Sequence, residues 1–256
     1  MTDQALFHGV GVALVTLFED DGTLSARATA DHAGQLVEQG VAGVVVAGTT
    51  GEAATLDARE RVELIKAVLD VVGGEVPVIA GTGAASARQA IQLTSSARDA
   101  GADGALLLSP LWYRDLVQYF GQVSSECEGI PLLAYHFPRF SPPGIPVDVL
   151  ADLAIAGIKD SSADAGRLTQ EILEYHGCVY VGAESLLFLA GQLGGTGAIV
   201  GLANLEPALC KQAWEGDIEA QKSVAELHDS LGRDWLTELK VLLAEKYRTS
   251  PTTRVA

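Results

Sequence analysis

The chain has 256 residues and 48% of them are hydrophobic, which is enough for one large buried core and too much for a disordered protein. Lys and Arg number 17 against 33 Asp and Glu, and the formal net charge of -16 disfavours binding to nucleic acid or to an anionic membrane surface. The three cysteines form no CxxC pair, and no segment resembles a signal peptide or a membrane span. We therefore expect a protein of the reducing cytoplasm.

Short strand-like segments alternate along the chain with amphipathic segments of helical length. The strand candidates are Gly11–Phe18, Val41–Ala47, Val76–Ala80, Gly104–Leu108, Leu132–His136, Ala156–Lys159, Cys178–Val181 and Ala198–Gly201. The helix candidates include Ala26–Glu38, Asp57–Val72, Ala85–Ala100, Leu116–Cys127 and Asp164–Tyr175. This alternation predicts an α/β fold, a closed (β/α)8 TIM barrel with appended C-terminal helices. A doubly wound open sheet is the alternative, but the expected glycine loop after the first strand has only Gly22.

Beyond about Gly216 the alternation stops, and Asp217–Arg248 contains two helical stretches with leucines on their apolar faces. We expect a barrel over residues 1–216 and a helical extension over 217–256 that packs on it. At the start of the second helix candidate, Thr55 stands where an N-cap is needed. Because the residue three positions after Thr55 is Ala58, no full capping box is expected there.

Lys159 has the most informative position among the lysines, because reactive groups in a parallel barrel sit at the carboxyl ends of the strands. Lys159 ends a strand candidate, whereas the others fall within helix candidates: Lys66, Lys211, Lys222, Lys240 and Lys246. A neutral amine at the barrel mouth can attack a carbonyl carbon and form a Schiff base. A lysine paired with the adjacent Asp160 fits the position equally well.

A tyrosine and a turn are also expected at the same barrel mouth. Tyr135 ends the fifth strand candidate and its phenol could relay protons, although a packed core tyrosine is more common. The turn Gly48–Glu52 offers the hydroxyls of Thr49 and Thr50 and, around the flexible Gly51, several backbone N–H groups. Such donors can bind the carboxylate of a 2-oxo acid, and the Thr49 hydroxyl could pass protons to Tyr135. A plain turn between strand and helix is the alternative.

Neither a metal nor a cofactor is expected. The five histidines are scattered and none has close ligand spacing: His8, His32, His136, His176 and His228. His136 directly follows Tyr135, and neighbouring residues of a strand point to opposite faces. We therefore expect His136 to pack or to anchor a loop.

Four motifs taken together resemble the family of dihydrodipicolinate synthase and N-acetylneuraminate lyase. They are GTTGEAATLDARER at 48–61, YHFP at 135–138, GIKD at 157–160 and GGTGAIVG at 194–201, in the family's order and spacing. The likeness runs from about Gly9 to Gly216. It implies a class I aldolase on a (β/α)8 barrel that takes pyruvate and an aldehyde and assembles as a homo-oligomer, a dimer or a tetramer.

The resemblance also implies roles for individual residues. Lys159 would form an iminium with pyruvate, Tyr135 would shuttle protons and Thr49 would relay them. Thr50 and the backbone of the turn at Gly51 would bind the pyruvate carboxylate. Two further positions match residues whose backbone lies beside the keto acid: Gly182 and Ile199.

The chain departs from the family at two places that bear on specificity. Members that make dihydrodipicolinate usually carry an arginine five residues after the tyrosine, where this chain has Phe140, with Arg139 one position early. Where many members insert a tyrosine into a neighbouring subunit's site, this chain has Trp112, with Tyr113 adjacent.

Phe140 in place of the arginine favours a substrate of the 2-keto-3-deoxy sugar acid type, because a buried carboxylate without its partner is costly. Dihydrodipicolinate synthase, which condenses pyruvate with aspartate semialdehyde, is the second hypothesis. A catalytically silent keto-acid-binding protein is the third, because the indole of Trp112 cannot relay a proton.

Overall fold

The computed structural model describes residues 5–111 and 115–255. Its strands are β1 Gly9–Ala13, β2 Val44–Val46, β3 Val78–Gly81, β4 Gly104–Leu108, β5 Leu132–His136, β6 Gly157–Asp160, β7 Cys178–Val181 and β8 Gly197–Val200. In the described residues these eight parallel strands close into one barrel in chain order, with β1 paired to both β2 and β8. The predicted (β/α)8 barrel is confirmed. The first strand was placed too late in the sequence, since it begins at Gly9 and ends at Ala13.

Helices lie between most of the strands and follow the last one. They are α1 Ala26–Glu38, α2 Ala58–Val72, α3 Ala87–Asp99, α4 Leu116–Glu126, α5 Ala165–Glu174, α6 Leu187–Gln192, α7 Pro207–Trp214, α8 Ile218–Ser230 and α9 Trp235–Tyr247. The first five agree with the predicted segments to within two residues at each end. Between β5 and β6 the chain forms a 3-10 helix at Val147–Asp152.

Alternating strand residues build two separate apolar layers. In β2, Val45 belongs to the cluster inside the barrel, while Val44 and Val46 belong to the layer between strands and helices. In β5, Leu133 and Tyr135 face the inside in the same way. The side-chain period of two therefore decides which residues of each strand can reach the barrel mouth.

Phe7 closes the amino end of the barrel. Its ring centroid lies 4.9 Å from that of Tyr180, and its carbonyl accepts a hydrogen bond from the Tyr180 hydroxyl at 3.0 Å. A Cβ atom at Gly11 or Gly43 would lie 2.6 Å from the Phe7 ring, so both positions require glycine. The opposite end of the barrel is the one formed by the carboxyl ends of the strands.

Asp57, and not Thr55, caps α2. The Asp57 carboxylate accepts from the backbone N–H groups of Arg59 and Glu60, and the Glu60 carboxylate accepts from the Asp57 N–H at 3.0 Å. This is a full capping box, so the expectation that none exists was wrong. Thr55 belongs instead to a short 3-10 turn, and its hydroxyl donates to the Glu52 carbonyl at 2.9 Å.

The C-terminal helices α8 and α9 are present as predicted and pack on the barrel, with Leu239 and Leu243 fully buried. Trp235 at the start of α9 lies against Gly201, where a Cβ atom would be 2.2 Å from its ring. The division of the chain at residue 216 stays a prediction. Among the helices described here, none combines the length and the apolar character needed to cross a bilayer.

Asn204 ties the barrel together where β8 meets β1. Its side-chain amide donates to the carbonyls of Ala13 at 2.7 Å and Gly201 at 2.8 Å, and its oxygen accepts from the Val15 N–H at 3.0 Å. Asn204 is fully buried, so water cannot replace these bonds.

Substituting Asn204→Ala should lower the free energy of unfolding by about 2–4 kcal/mol, because buried backbone groups lose their partner. Urea denaturation followed by circular dichroism measures the change. The exposed Gln35→Ala on α1 is the control and should stay within about 0.5 kcal/mol of the parent. If Asn204→Ala is as stable as that control, the Asn204 side chain does not stabilise the junction of β8 and β1.

Candidate active site

Lys159 and Tyr135 lie side by side at the barrel mouth. They are paired residues of the neighbouring strands β6 and β5, and the Lys159 Nζ lies 4.4 Å from the centroid of the Tyr135 ring. Only 5% of Lys159 and 4% of Tyr135 is exposed, so a small substrate would meet both groups in a nearly enclosed space. The structure thus brings together the two side chains that the sequence placed at strand ends.

Asp160 points away from Lys159 and does not pair with it, so the hypothesis of a Lys159–Asp160 ion pair was wrong. The Asp160 Oδ2 lies 3.3 Å from Arg167 Nε, and Arg167 Nη2 lies 2.7 Å from Glu171. The side chains of adjacent strand residues face opposite sides, which separates the amine from this cluster. Within the described residues, Lys159 has no ion-pair partner.

Burial raises the pKa of Glu171 to about 8, with the nearby Asp160 carboxylate acting in the same direction and Arg167 opposing both. No motif in the sequence pointed to Arg167 and Glu171. Their spacing of four residues on α5 was a visible pattern, but an i,i+4 pair usually indicates an exposed helix face.

Gly182 supports the side chain of Lys159. A Cβ atom at this position would lie 2.7 Å from Lys159 Cε and 2.0 Å from Ser161 Oγ. Its N–H donates to the Asp160 carbonyl at 2.6 Å, which holds the loop after β7 against β6. Any side chain at position 182 would therefore displace the lysine. Ser161 is a further mouth residue that the sequence analysis missed.

Ile199 on β8 is fully buried and belongs to the apolar cluster inside the barrel that also contains Tyr135. It pairs with Gly11 of β1, close to the point where the barrel closes. The predicted position beside the keto acid therefore lies in the barrel's inner layer.

The turn Gly48–Glu52 leaves β2 between two non-glycine residues of left-handed conformation, Ala47 with φ 51° and Glu52 with φ 54°. Gly51 allows a close approach, because a Cβ atom there would lie 2.9 Å from the Leu14 carbonyl oxygen. Its own carbonyl accepts from the Thr16 hydroxyl at 2.7 Å. The turn is thus fixed by its surroundings.

Within the described part of the chain, the N–H groups of Thr49 and Thr50 have no hydrogen-bond acceptor, and the two side chains are half-buried. The Thr49 carbonyl is occupied, since it accepts from the Glu52 N–H at 3.1 Å. Free donors in a fixed turn can bind an anion such as a carboxylate.

Comparison with known proteins gives the family. The model of the dihydrodipicolinate synthetase family matches residues 6–243. The chain is 36% identical over 237 residues to an uncharacterized DapA-like lyase of Halobacterium salinarum, covering 89% of this chain and 78% of the relative. It is 35% identical over 246 residues to the 4-hydroxy-tetrahydrodipicolinate synthase of Thioalkalivibrio sulfidiphilus, covering 91% and 84%. The chain belongs to the dihydrodipicolinate synthetase family.

A solved structure agrees with this assignment. The chloride-inhibited dihydrodipicolinate synthase of Acinetobacter baumannii, complexed with pyruvate, has a TM-score of 0.85 at 31% identity, covering 97% of this chain and 94% of the other. Family members are class I aldolases that act through a Schiff base, and the chain is a carbon–carbon lyase of this class.

Aromatic rings continue from the tyrosine toward solvent. The centroid of Phe137 lies 5.8 Å from that of Tyr135 and 4.7 Å from that of Phe140, which is 54% exposed. Arg139 is exposed and forms no ion pair with any described residue. The other two residues expected to bear on specificity, Trp112 and Tyr113, lie outside the described residues.

His136 anchors the loop that carries these rings, as expected. Its Nδ1 accepts a hydrogen bond from the Ile145 N–H at 2.8 Å, so the imidazole is neutral. Burial is the main cause that lowers the pKa of His136 to about 4. The Arg167 cation adds to this effect, and the Asp160 carboxylate opposes it.

Lowering the pH should destabilise the fold through His136. An unfolded histidine takes up its proton near pH 6.5 and the folded one near pH 4, so stability is present above 6.5 and is lost as the pH falls to 4. The slope should be on the order of 1 kcal/mol per pH unit. Urea denaturation across this range measures it. His136→Gln should lose less stability there, and parallel profiles for the two proteins would contradict the role of the imidazole.

Proposed function

We propose that the enzyme makes or splits the carbon–carbon bond between pyruvate and an uncharged hydroxyaldehyde, with a substrate of the 2-keto-3-deoxy sugar acid type. The observation that carries this choice is Phe140. It stands where the family's dihydrodipicolinate synthases usually have an arginine, and its ring packs at a tilt against Phe137, with the centroids 4.7 Å apart. An aromatic ring offers no partner to the carboxylate of aspartate semialdehyde, whereas the hydroxyls of a sugar chain need no counter-charge.

In this proposal Lys159 is the nucleophile. Its amine attacks the keto carbon of pyruvate, and the resulting carbinolamine loses water to give an iminium. Removal of a proton from the methyl carbon gives an enamine, whose carbon attacks the aldehyde carbon, and water then releases the product by hydrolysis. Cleavage follows the same steps in reverse. The glycine at position 182 supports this assignment, because a Cβ atom there would lie 2.7 Å from Lys159 Cε and displace the side chain that carries the amine.

Tyr135 moves the protons in this sequence. The 4.4 Å separation between Lys159 Nζ and the Tyr135 ring leaves the phenol within reach of atoms attached to the amine. We propose that Thr49 relays these protons and that Thr50, with the backbone at Gly51, binds the pyruvate carboxylate. The backbone near Gly182 and Ile199 would lie beside the keto acid.

Condensation of pyruvate with aspartate semialdehyde is the second candidate. Arg139 favours it, because an exposed guanidinium next to Phe140 can bind a carboxylate by a bidentate pair. The synthase name of a relative that is 35% identical also favours it. The assembly into a homo-oligomer stays a prediction.

Pyruvate followed by borohydride should add a covalent reduced pyruvyl group to Lys159, because reduction makes the iminium permanent. Mass spectrometry of the digested protein locates the adduct. If no adduct forms, or if an adduct forms elsewhere in Lys159→Ala, the assignment of the nucleophile is wrong. Tyr135→Phe is the matched variant: it keeps the ring and the trapping site but should lose on the order of 10²–10⁴-fold in turnover.

Glyceraldehyde should be a better partner of pyruvate than aspartate semialdehyde. The missing charge-assisted pair should cost the latter roughly 1.5–3 kcal/mol, about ten- to a hundred-and-fifty-fold in kcat/KM. Phe140→Arg should shift the ratio toward aspartate semialdehyde, and Arg139→Gln is the control that should not. If the parent enzyme prefers aspartate semialdehyde and Arg139→Gln abolishes that preference, the first candidate function is wrong and the second replaces it.

A further inference from the structure

A buried carboxylate stands at the end of the turn that offers the carboxylate site. Glu52 is 2% exposed, and both of its oxygens are occupied. Its Oε1 accepts from Lys240 Nζ, and its Oε2 accepts from the backbone N–H groups of Arg254 at 2.7 Å and Val255 at 3.1 Å. The partners of Glu52 therefore come from α9 and from residues 252–255, here called the tail.

Lys240 joins the tail to Glu52. It is fully buried on α9, and its Nζ also donates to the Thr252 carbonyl at 2.8 Å and lies 4.6 Å from the centroid of the Phe18 ring. Burial lowers the pKa of Lys240, and the hydrogen bond and charge of Glu52 act against this shift. Neither charge could remain buried without the other.

Arg254 extends the contact to both sides of the turn. Its guanidinium donates to the carbonyls of Gly22 at 2.7 Å and Thr55 at 3.1 Å and binds the Glu60 carboxylate at 2.6 and 2.9 Å. It also lies 4.4 Å from the centroid of the Phe18 ring. The tail thus connects the loop after β1, the 3-10 turn and the start of α2.

These contacts bear on anion binding in two ways. First, they fix Glu52. The Glu52 N–H donates to the Thr49 carbonyl, and this hydrogen bond orients the turn that carries the free N–H groups of Thr49 and Thr50. They also pair a negative charge that would otherwise stand next to a site for an anion, where like charges repel. A buried ion pair is a weak source of stability, but it holds its groups in one geometry.

We infer that the tail and Lys240 are positioning elements for the pyruvate carboxylate, which they serve by holding and neutralising Glu52 behind the turn Gly48–Glu52. This inference rests on the proposed role of that turn. It adds residues from the far end of the chain to a site otherwise formed by strand ends.

Deleting the chain from Thr252 onward should raise the KM for pyruvate at least about tenfold, the loss expected when a hydrogen bond to a charged group is weakened. Turnover at saturating pyruvate should change less than about threefold, because the Lys159 amine and Tyr135 are untouched. Lys240→Met should act in the same direction. The double variant Glu52→Gln with Lys240→Met should recover part of the loss, since no unpaired charge remains.

Asp217→Ala is the control for a purely structural effect, because it removes the cap of α8 without touching the tail. It should lower thermal stability and leave the KM for pyruvate unchanged. If the deletion does not fold by circular dichroism, Arg254→Ala carries the test with the same expected split between KM and kcat.

The borohydride adduct separates this inference from the function on which it rests. If the parent enzyme forms the adduct and the tail variants keep its KM for pyruvate, or lose kcat alone, the positioning role is overturned. If the parent forms no adduct, the proposed function fails and the inference fails with it.

Discussion

Closure of the parallel sheet into a barrel is the constraint on which the site depends. Because β8 pairs with β1, every strand ends at the same rim, and each strand's side chains alternate between the barrel interior and the helical layer. Tyr135 and Lys159 face inward, whereas their chain neighbours His136 and Asp160 face outward. The same four residues thus form an inward pair, for which we propose the reactive roles, and an outward pair that supports the loops around it.

The outward groups hold the loops from which the site is built. His136 bonds the Ile145 N–H and so fixes the loop after β5, while Asp160 bonds the Ser162 N–H at 2.7 Å and meets Arg167. These polar groups are buried, so each needs its partner in the folded state. The charge cluster behind β6 is therefore separated from the inner face, where the Lys159 Nζ lies 4.4 Å from the centroid of the Tyr135 ring and, among the described residues, has no ion-pair partner.

The parts of this structure that follow from local pattern could be predicted from the sequence. The strand ends, the side-chain period of two and the lengths of the helices predict that Lys159, Tyr135 and the turn lie at one rim. Residues whose role depends on distant partners could not be found in this way. Glu52 and Lys240 are 188 residues apart, and no periodicity connects them. Asp57 could not be singled out as the cap for a local reason, because Thr55 offers a competing hydroxyl two residues earlier.

The charge of the whole molecule gives a last reason to connect the tail with substrate choice. A formal net charge of -16 repels anions at long range, although salt reduces this effect beyond about 8 Å. In the site that we propose, pyruvate is an anion bound by short-range donors, so an unpaired Glu52 behind the turn would repel it. The carboxylate of aspartate semialdehyde would also need a short-range cation, and the ring of Phe140 supplies none. An uncharged hydroxyaldehyde needs no such cation, so the aromatic rings at the mouth support the class of substrate that we propose.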